Sequence, residues 1–232
     1  MGNNWYEVWS QRRLSDEKTI NLGSLIEIDG FDTAASKVSE SDWKTNIIKI
    51  SEAMGMLSSH TVYEVGCGAG AFILGLRECR EIRADGCDYS KNLIELARSA
   101  LKDSVFEHIE GSDIKVVPKY DFVISHGVFH YFDKAYAERV LLKMLRKTRL
   151  AVGIFEIPNK EMIKESEAER QNSIGDAEYK KKYQGLNHTY YEKSFFADFV
   201  CNNFPGAEVT FIESFFKNVK QSKARFGVII RP

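Results

Sequence analysis

The sequence predicts an α/β chain: a doubly wound, mostly parallel sheet of seven strands that ends in an antiparallel hairpin. Three observations carry this. A short apolar strand, Thr61-Val62-Tyr63-Glu64-Val65, runs into glycines at 66, 68 and 70. From about residue 60 onward, β-rich runs alternate with amphipathic helical runs, which forces parallel strands joined by right-handed crossovers. The alternation then stops, because Ala207–Ser214 and Arg225–Arg231 are two β-rich runs joined by polar and aromatic residues with no helical pattern between them, and these pair antiparallel.

Each element follows from its residues. Ser39-x-x-Asp42 caps a helix whose apolar face is Trp43, Ile47, Ile50, Met54 and Leu57. Strand 61–65 leads into a helix through Phe72, Ile73 and Leu76. A second strand at 82–88 ends at Asp88, and Ser90 is placed to cap a helix carrying Leu93, Leu96, Ala97 and Leu101. Strands follow at 105–109, 120–125 and 150–157, with an amphipathic helix at 133–147 and another at 193–203. Residues 159–190 are polar, charged and rich in tyrosine. They are too long for a plain connector and are expected to be partly helical and to cover a site.

Composition narrows the function. The chain has 232 residues, 44% hydrophobic and 28% charged, with a net charge of −1. That suits one buried α/β core and gives no global attraction to nucleic acid or to an anionic membrane. Lys180-Lys181-Lys182 reads as a solvated helix face. Cys67, Cys79, Cys87 and Cys201 lack C-x-x-C spacing, so packed, reduced thiols are expected and no metal site. No apolar run approaches the ~20 residues of a membrane span, and the amino terminus lacks a signal peptide's apolar stretch. The expected compartment is the cytoplasm, the expected state a monomer or homodimer, and the expected partner a small molecule without nucleic acid or membrane.

The glycine turn is the first chemical signal. Gly66 and Gly68 let main chain bend sharply and lie bare against a ligand. With Ala71 they also satisfy the loose dinucleotide pattern G-x-G-x-x-G/A. Glu64 separates the two readings: a carboxylate there opposes a pyrophosphate but suits a cationic or ribose-bearing ligand. Asp88, followed by Tyr89 and roughly twenty residues beyond the first glycine, matches the acid that accepts from vicinal ribose hydroxyls.

Val62–Gly70 resembles the first motif of the class I S-adenosylmethionine-dependent methyltransferases, whose fold is Rossmann-like, and the resemblance extends through Asp88, Asp113 and the end of the fourth strand. It implies a cofactor, S-adenosyl-L-methionine, and a product, S-adenosyl-L-homocysteine. It places the adenine amino group at Asp113, with Gly111, Ser112 and Ile114 completing that pocket. It also sets the turn Ser125-His126-Gly127-Val128-Phe129-His130-Tyr131 beside sulfur and acceptor. His126 and His130 are then candidates for a base or orienting group, since histidine titrates near neutrality, and Ser125 and His126 for cofactor contacts. Trp5 and Trp9, one helical turn apart, are similar to the lid helix of the thiopurine methyltransferases. Either arginine that follows, with Arg13 favoured, could meet the methionine carboxylate. Glu156, Tyr131, His188, Tyr190 and Tyr191 point by topology to the same cleft as acceptor-side candidates. The expected organisation is a lid segment over 1–40 and a methyltransferase domain over 41–232 with the inserted cover 159–190. The expected activity is methyl transfer to O or N of a small molecule. Protein or RNA methylation, an NAD-dependent oxidoreductase, and a non-catalytic cofactor-binding protein are the alternatives.

Overall fold

A computed structural model describes residues 5–15, 18–34 and 36–232. Its centre is a seven-stranded sheet of order β3-β2-β1-β4-β5-β7-β6. The strands are β1 (Thr61–Val65), β2 (Arg83–Asp88), β3 (Phe106–His108), β4 (Tyr120–His126), β5 (Thr148–Pro158), β6 (Glu208–Glu213) and β7 (Arg225–Arg231). The first five are parallel, and β7 runs antiparallel between β5 and β6. The hairpin linker carries a five-residue 3₁₀ turn, Lys220–Ala224, where the sequence pattern shows no helix.

The helices are α1 (Trp5–Ser10), α2 (Leu22–Ile28), α3 (Glu40–Met54), α4 (Ala71–Arg80), α5 (Lys91–Ala100), α6 (Lys134–Lys147), α7 (Ile163–Ile174), α8 (Asp176–Tyr183) and α9 (Lys193–Asn203). They cover both faces because each sheet face is apolar. On one face α2 to α5 bury Leu25, Trp43, Ile47, Phe72, Ile73 and Leu93. On the other α6 and α9 bury Val140, Leu141, Met144, Phe196 and Val200.

Local chemistry sets the ends of these helices. The Ser39 hydroxyl accepts from Asp42 N at 3.1 Å and caps α3 as expected, but α3 stops at Gly55 in the left-handed region, so Leu57 lies beyond it and is 62% exposed. Ser90 occupies the position before α5 without capping it. Its hydroxyl donates instead to Trp9 O at 3.0 Å. The sequence pattern shows no α2, yet an Asn21–Ser24 capping box starts it, and Leu22, Leu25 and Ile26 fix it in the core. Within 1–40, therefore, α2 belongs to the core, whereas α1 crosses the mouth of the sheet.

Strand order reverses between β1 and β4: from β1 the chain winds outward to β2 and β3, then returns to build β4 and β5 on the other side. Main chain diverges at that point and leaves a crevice beyond the carboxyl ends of the strands. Glu64, Asp88 and His126 stand at those ends.

Candidate active site

The glycine turn is fastened to β2 by Gly66 N and Cys67 N, both donating to Cys87 O at 2.8 and 2.9 Å. Gly66 and Gly68 have φ of +77° and +52°. Side chains would be excluded there: a Cβ on Gly66 would meet Val128 at 2.7 Å, and one on Gly68 would meet Asp29 at 2.3 Å.

Asp29, from the end of α2, reaches into this turn. Its two oxygens accept from Ala69 N at 2.6 Å and Ala71 N at 3.1 Å, at the amino-terminal end of α4. Asp88 accepts from Gly68 N at 3.0 Å and Ser90 N at 2.8 Å. Glu64 is buried, and its Oε2 has no hydrogen-bond partner among the described residues. Three carboxylates thus surround one turn. Burial pushes Asp29 up to about 7, against its two backbone donors, and Asp88 up to about 6. Burial, then the charges of Asp29 and Asp88, hold Glu64 well above the carboxylate range. A cation in this space would relieve all three.

Two adjoining cavities open here. The first, about 470 Å³ counting its mouth, is lined by Asp29, Gly66, Gly68, Asp88, Tyr89 and His126 among others. The second, about 710 Å³ on the same measure, includes Trp5, His130, Arg170, Tyr183, His188, Gln221 and Arg225 in its walls. Trp9, Asp29, Gly127 and Tyr131 line both. Helix α1 lies across them: Tyr89 Oη and Asn92 Nδ2 donate to Trp5 O and Ser10 O, and Trp5 Nε1 donates to Asn187 O at 2.9 Å. Both indoles pack on Tyr131, with ring centroids 4.8 and 5.3 Å away. The four-residue spacing does put them on one face.

His126 is caged by Phe31, Trp43, Phe72 and Phe216. The Asn46 amide nitrogen, which can only donate, lies 3.1 Å from His126 Nε2, so the proton of the neutral ring sits on Nδ1. Burial, with Arg225 adding, drives this imidazole down to about 3. His130 and His188 are likewise held well below their ordinary value, by burial first and then by nearby cationic side chains. All three are neutral at pH 7, and His130 Nδ1 is buried without a partner among the described residues.

The remaining predicted residues divide. Tyr131 and His188 reach the second cavity. Ser125 instead donates to Val65 O at 2.9 Å and braces β4 against β1. Ser112 N meets Tyr136 Oη at 3.4 Å, and Asp113 is exposed outside both cavities. Arg13 faces a separate groove beside Lys18 and Glu27. Tyr191 Oη donates to Phe129 O and Phe132 O inside the core. Tyr190 donates to Glu167. Glu156, at φ +61° in a β5 bulge, accepts from Ser214 and lies behind Arg225, whose Nη1 donates to its carbonyl.

Asp29, Arg170, Gln221 and Arg225 carry no local signal of a site: Asp29-Gly30 reads as an ordinary turn, Arg170 and Gln221 lie in polar stretches, and Arg225 opens a predicted edge strand.

Residues 63–150 match a family model described as a methyltransferase domain. The chain carries a methyltransferase domain. Around that domain the fold is Rossmann-like, as in solved methyltransferases. The magnesium protoporphyrin IX methyltransferase of Synechocystis PCC 6803, solved with S-adenosylmethionine bound, superimposes with a TM-score of 0.60 at 11% identity over 99% of this chain and 92% of that one. The plantazolicin methyltransferase BpumL, in complex with S-adenosylhomocysteine, gives 0.65 at 13% identity, over 96% and 93%. An S-adenosylmethionine-dependent methyltransferase from Clostridium acetobutylicum ATCC 824 gives 0.59 at 10%, over 84% and 92%. No curated protein matches the chain in sequence.

Proposed function

We propose that the chain binds S-adenosyl-L-methionine in the first cavity and transfers its methyl group to an O or N atom of a small molecule in the second, releasing S-adenosyl-L-homocysteine. The observation that carries this is the carboxylate set Glu64, Asp29 and Asp88 around a bare-backbone turn. The cofactor carries an ammonium, a sulfonium and no phosphate, so it supplies positive charge where the protein has surplus negative charge. A pyrophosphate would meet the same three carboxylates as repulsion. The methyltransferase domain spans these residues from Glu64 onward.

S-adenosylmethionine supplies an electrophilic methyl carbon, and the chain's own groups do the rest. Asp88 offers acceptors for hydroxyls, and Glu64 and Asp29 offer negative charge to the cationic end. Trp9 and Tyr131 form the wall shared by both cavities, which excludes water and fixes the approach of an acceptor. His130 is the group best placed to orient an acceptor, because its Nδ1 is unspent and it lines the second cavity, while the burial and nearby cations that hold it neutral oppose its taking a proton. His126 is held by Asn46 and its aromatic cage, so it shapes the turn. The second cavity is closed by α1, α7 and α8, a size suited to a metabolite rather than a polymer. Among the described residues no helix is long and apolar enough to cross a membrane, and with four unpaired cysteines the cytoplasm is the compartment we propose.

Incubation with methyl-tritiated S-adenosylmethionine and separate small-molecule, protein and RNA fractions of a cell extract tests this. Label is expected in the small-molecule fraction. Label confined to protein or RNA would overturn the acceptor class.

A further inference from the structure

The second cavity has a polar end that cofactor binding does not use. Arg170, on α7, is 3% exposed. Its Nη1 donates to Glu167 Oε1 at 2.8 Å and meets His188 Nδ1 at 2.9 Å, while its Nη2 is buried with no partner among the described residues. Gln221, also 3% exposed, receives Arg225 Nη2 on its Oε1 at 3.1 Å. That contact fixes which end of the amide is oxygen and leaves Nε2 buried and unpartnered. Native structures pair such donors. Two unspent donors in one wall therefore mark a place where a ligand accepts.

The charges nearby show what kind of acceptor fits. Of the four carboxylates around the cavity, three are already served, Glu167 by Arg170, Tyr179 and Tyr190, Glu156 by Ser214 and Asp32 by Arg12, and Asp29 stands at the wall shared with the first cavity. The surplus is on the donor side. Arg170 and Arg225 face the same space as like charges, and a two-oxygen anion between them would satisfy both donors and relieve that repulsion. Trp5 and Tyr183 line this end and meet edge to face, their ring centroids 6.4 Å apart and their planes at 61°, so the wall beside the two donors is aromatic.

We propose that the methyl acceptor is a small carboxylic acid with an apolar body, its carboxylate seated between Arg170 Nη2 and Gln221 Nε2 with Arg225 behind. This rests on the methyl-transfer reading for the reaction but not for the anion site itself. Neither Arg170 nor Gln221 lines the cofactor cavity, whose shared wall is Trp9, Asp29, Gly127 and Tyr131. The carboxylate is thus an anchor at the far end, and the rest of the molecule extends toward the shared wall.

The test is calorimetric titration of the full chain with benzoate, benzamide and inorganic phosphate, each with and without S-adenosylhomocysteine. Benzoate is expected to bind at least about tenfold more tightly than neutral benzamide. Gln221→Met and Arg170→Lys should each weaken benzoate by about tenfold while leaving S-adenosylhomocysteine affinity unchanged. Two variants guard against one that misfolds, and circular dichroism identifies it. Benzoate binding no tighter than benzamide, benzoate indifferent to both variants, or phosphate bound in its place would each overturn the carboxylate site. Failure of S-adenosylhomocysteine alone would instead overturn the cofactor reading, since the benzoate titration without it still reports on the anchor.

Discussion

At the scale of single residues, the carboxylates around the glycine turn make a prediction that couples binding to pH. Burial holds Asp29 at about 7 and Asp88 at about 6, above their ordinary value. Between pH about 4 and about 7 the folded protein keeps protons that the unfolded chain has lost, so these two groups lower stability as pH rises through that window. A cationic ligand favours the ionised forms, so binding expels those protons. Calorimetry with S-adenosylmethionine at pH 6.5, in buffers of different ionisation enthalpy, should show net proton release and an affinity that climbs from pH 6 to 8. No dependence on the buffer would contradict the charge argument. Glu64→Gln separates stability from function: it removes a buried carboxyl that on folding must take up a proton or stand unpaired, so the ligand-free protein should melt higher, while S-adenosylmethionine should bind about tenfold more weakly. A variant that binds as tightly as the parent would remove Glu64 from the site.

Packing and closure are properties of elements. Helices α3 and α4 approach closely at Gly75, where a Cβ would meet Ile47 Cδ1 at 2.1 Å and the Trp43 ring at 3.4 Å. Alanine is the better helix former by ~1 kcal/mol, yet Ile47 is wholly buried and overpacking costs about 1–3 kcal/mol. Gly75→Ala should therefore lower the midpoint of urea unfolding; an unchanged or raised midpoint would show that Ile47 has room to turn. Helix α1 is held by hydrogen bonds to the start of α5 and to Asn187, and it buries little beyond Trp5. Deleting residues 1–13 should accordingly reduce S-adenosylhomocysteine affinity far more than it lowers the melting temperature, and should remove the ligand-induced change in tryptophan fluorescence. If affinity survives the deletion, α7 and α8 are the cover.

These elements also show what a sequence can and cannot convey. Strands 61–65 and 225–231 and the Ser39 cap are legible because period, turn glycines and capping chemistry are local. The hairpin is legible because the alternation of strand and helix ends before it. Helix α2 was not, since seven residues give too few turns for a period, and with it Asp29 was lost from view. The anion end of the second cavity was illegible for a different reason: Arg170 lies in a polar stretch, and Arg225 opens a strand. Only the fold brings them to one wall. Ser125 and Tyr191 show the reverse, residue types suited to a site that the fold spends on bracing strands and loops.

The whole molecule reads as two cavities divided by one aromatic and acidic wall, at the point where strand order reverses. The first cavity is built from the ends of β1, β2 and β4 and the end of α2. The second is built from α1, α7, α8 and the turn before β7. That division explains how one methyltransferase domain, residues 63–150, is completed by segments on both sides of it. Which nucleoside enters the first cavity is decided most directly by isothermal titration of the full chain at pH 8 with S-adenosylhomocysteine, NAD and NADP. One site per chain for S-adenosylhomocysteine and no heat from either dinucleotide are expected, and binding of NAD or NADP without S-adenosylhomocysteine would contradict the methyltransferase reading of the site.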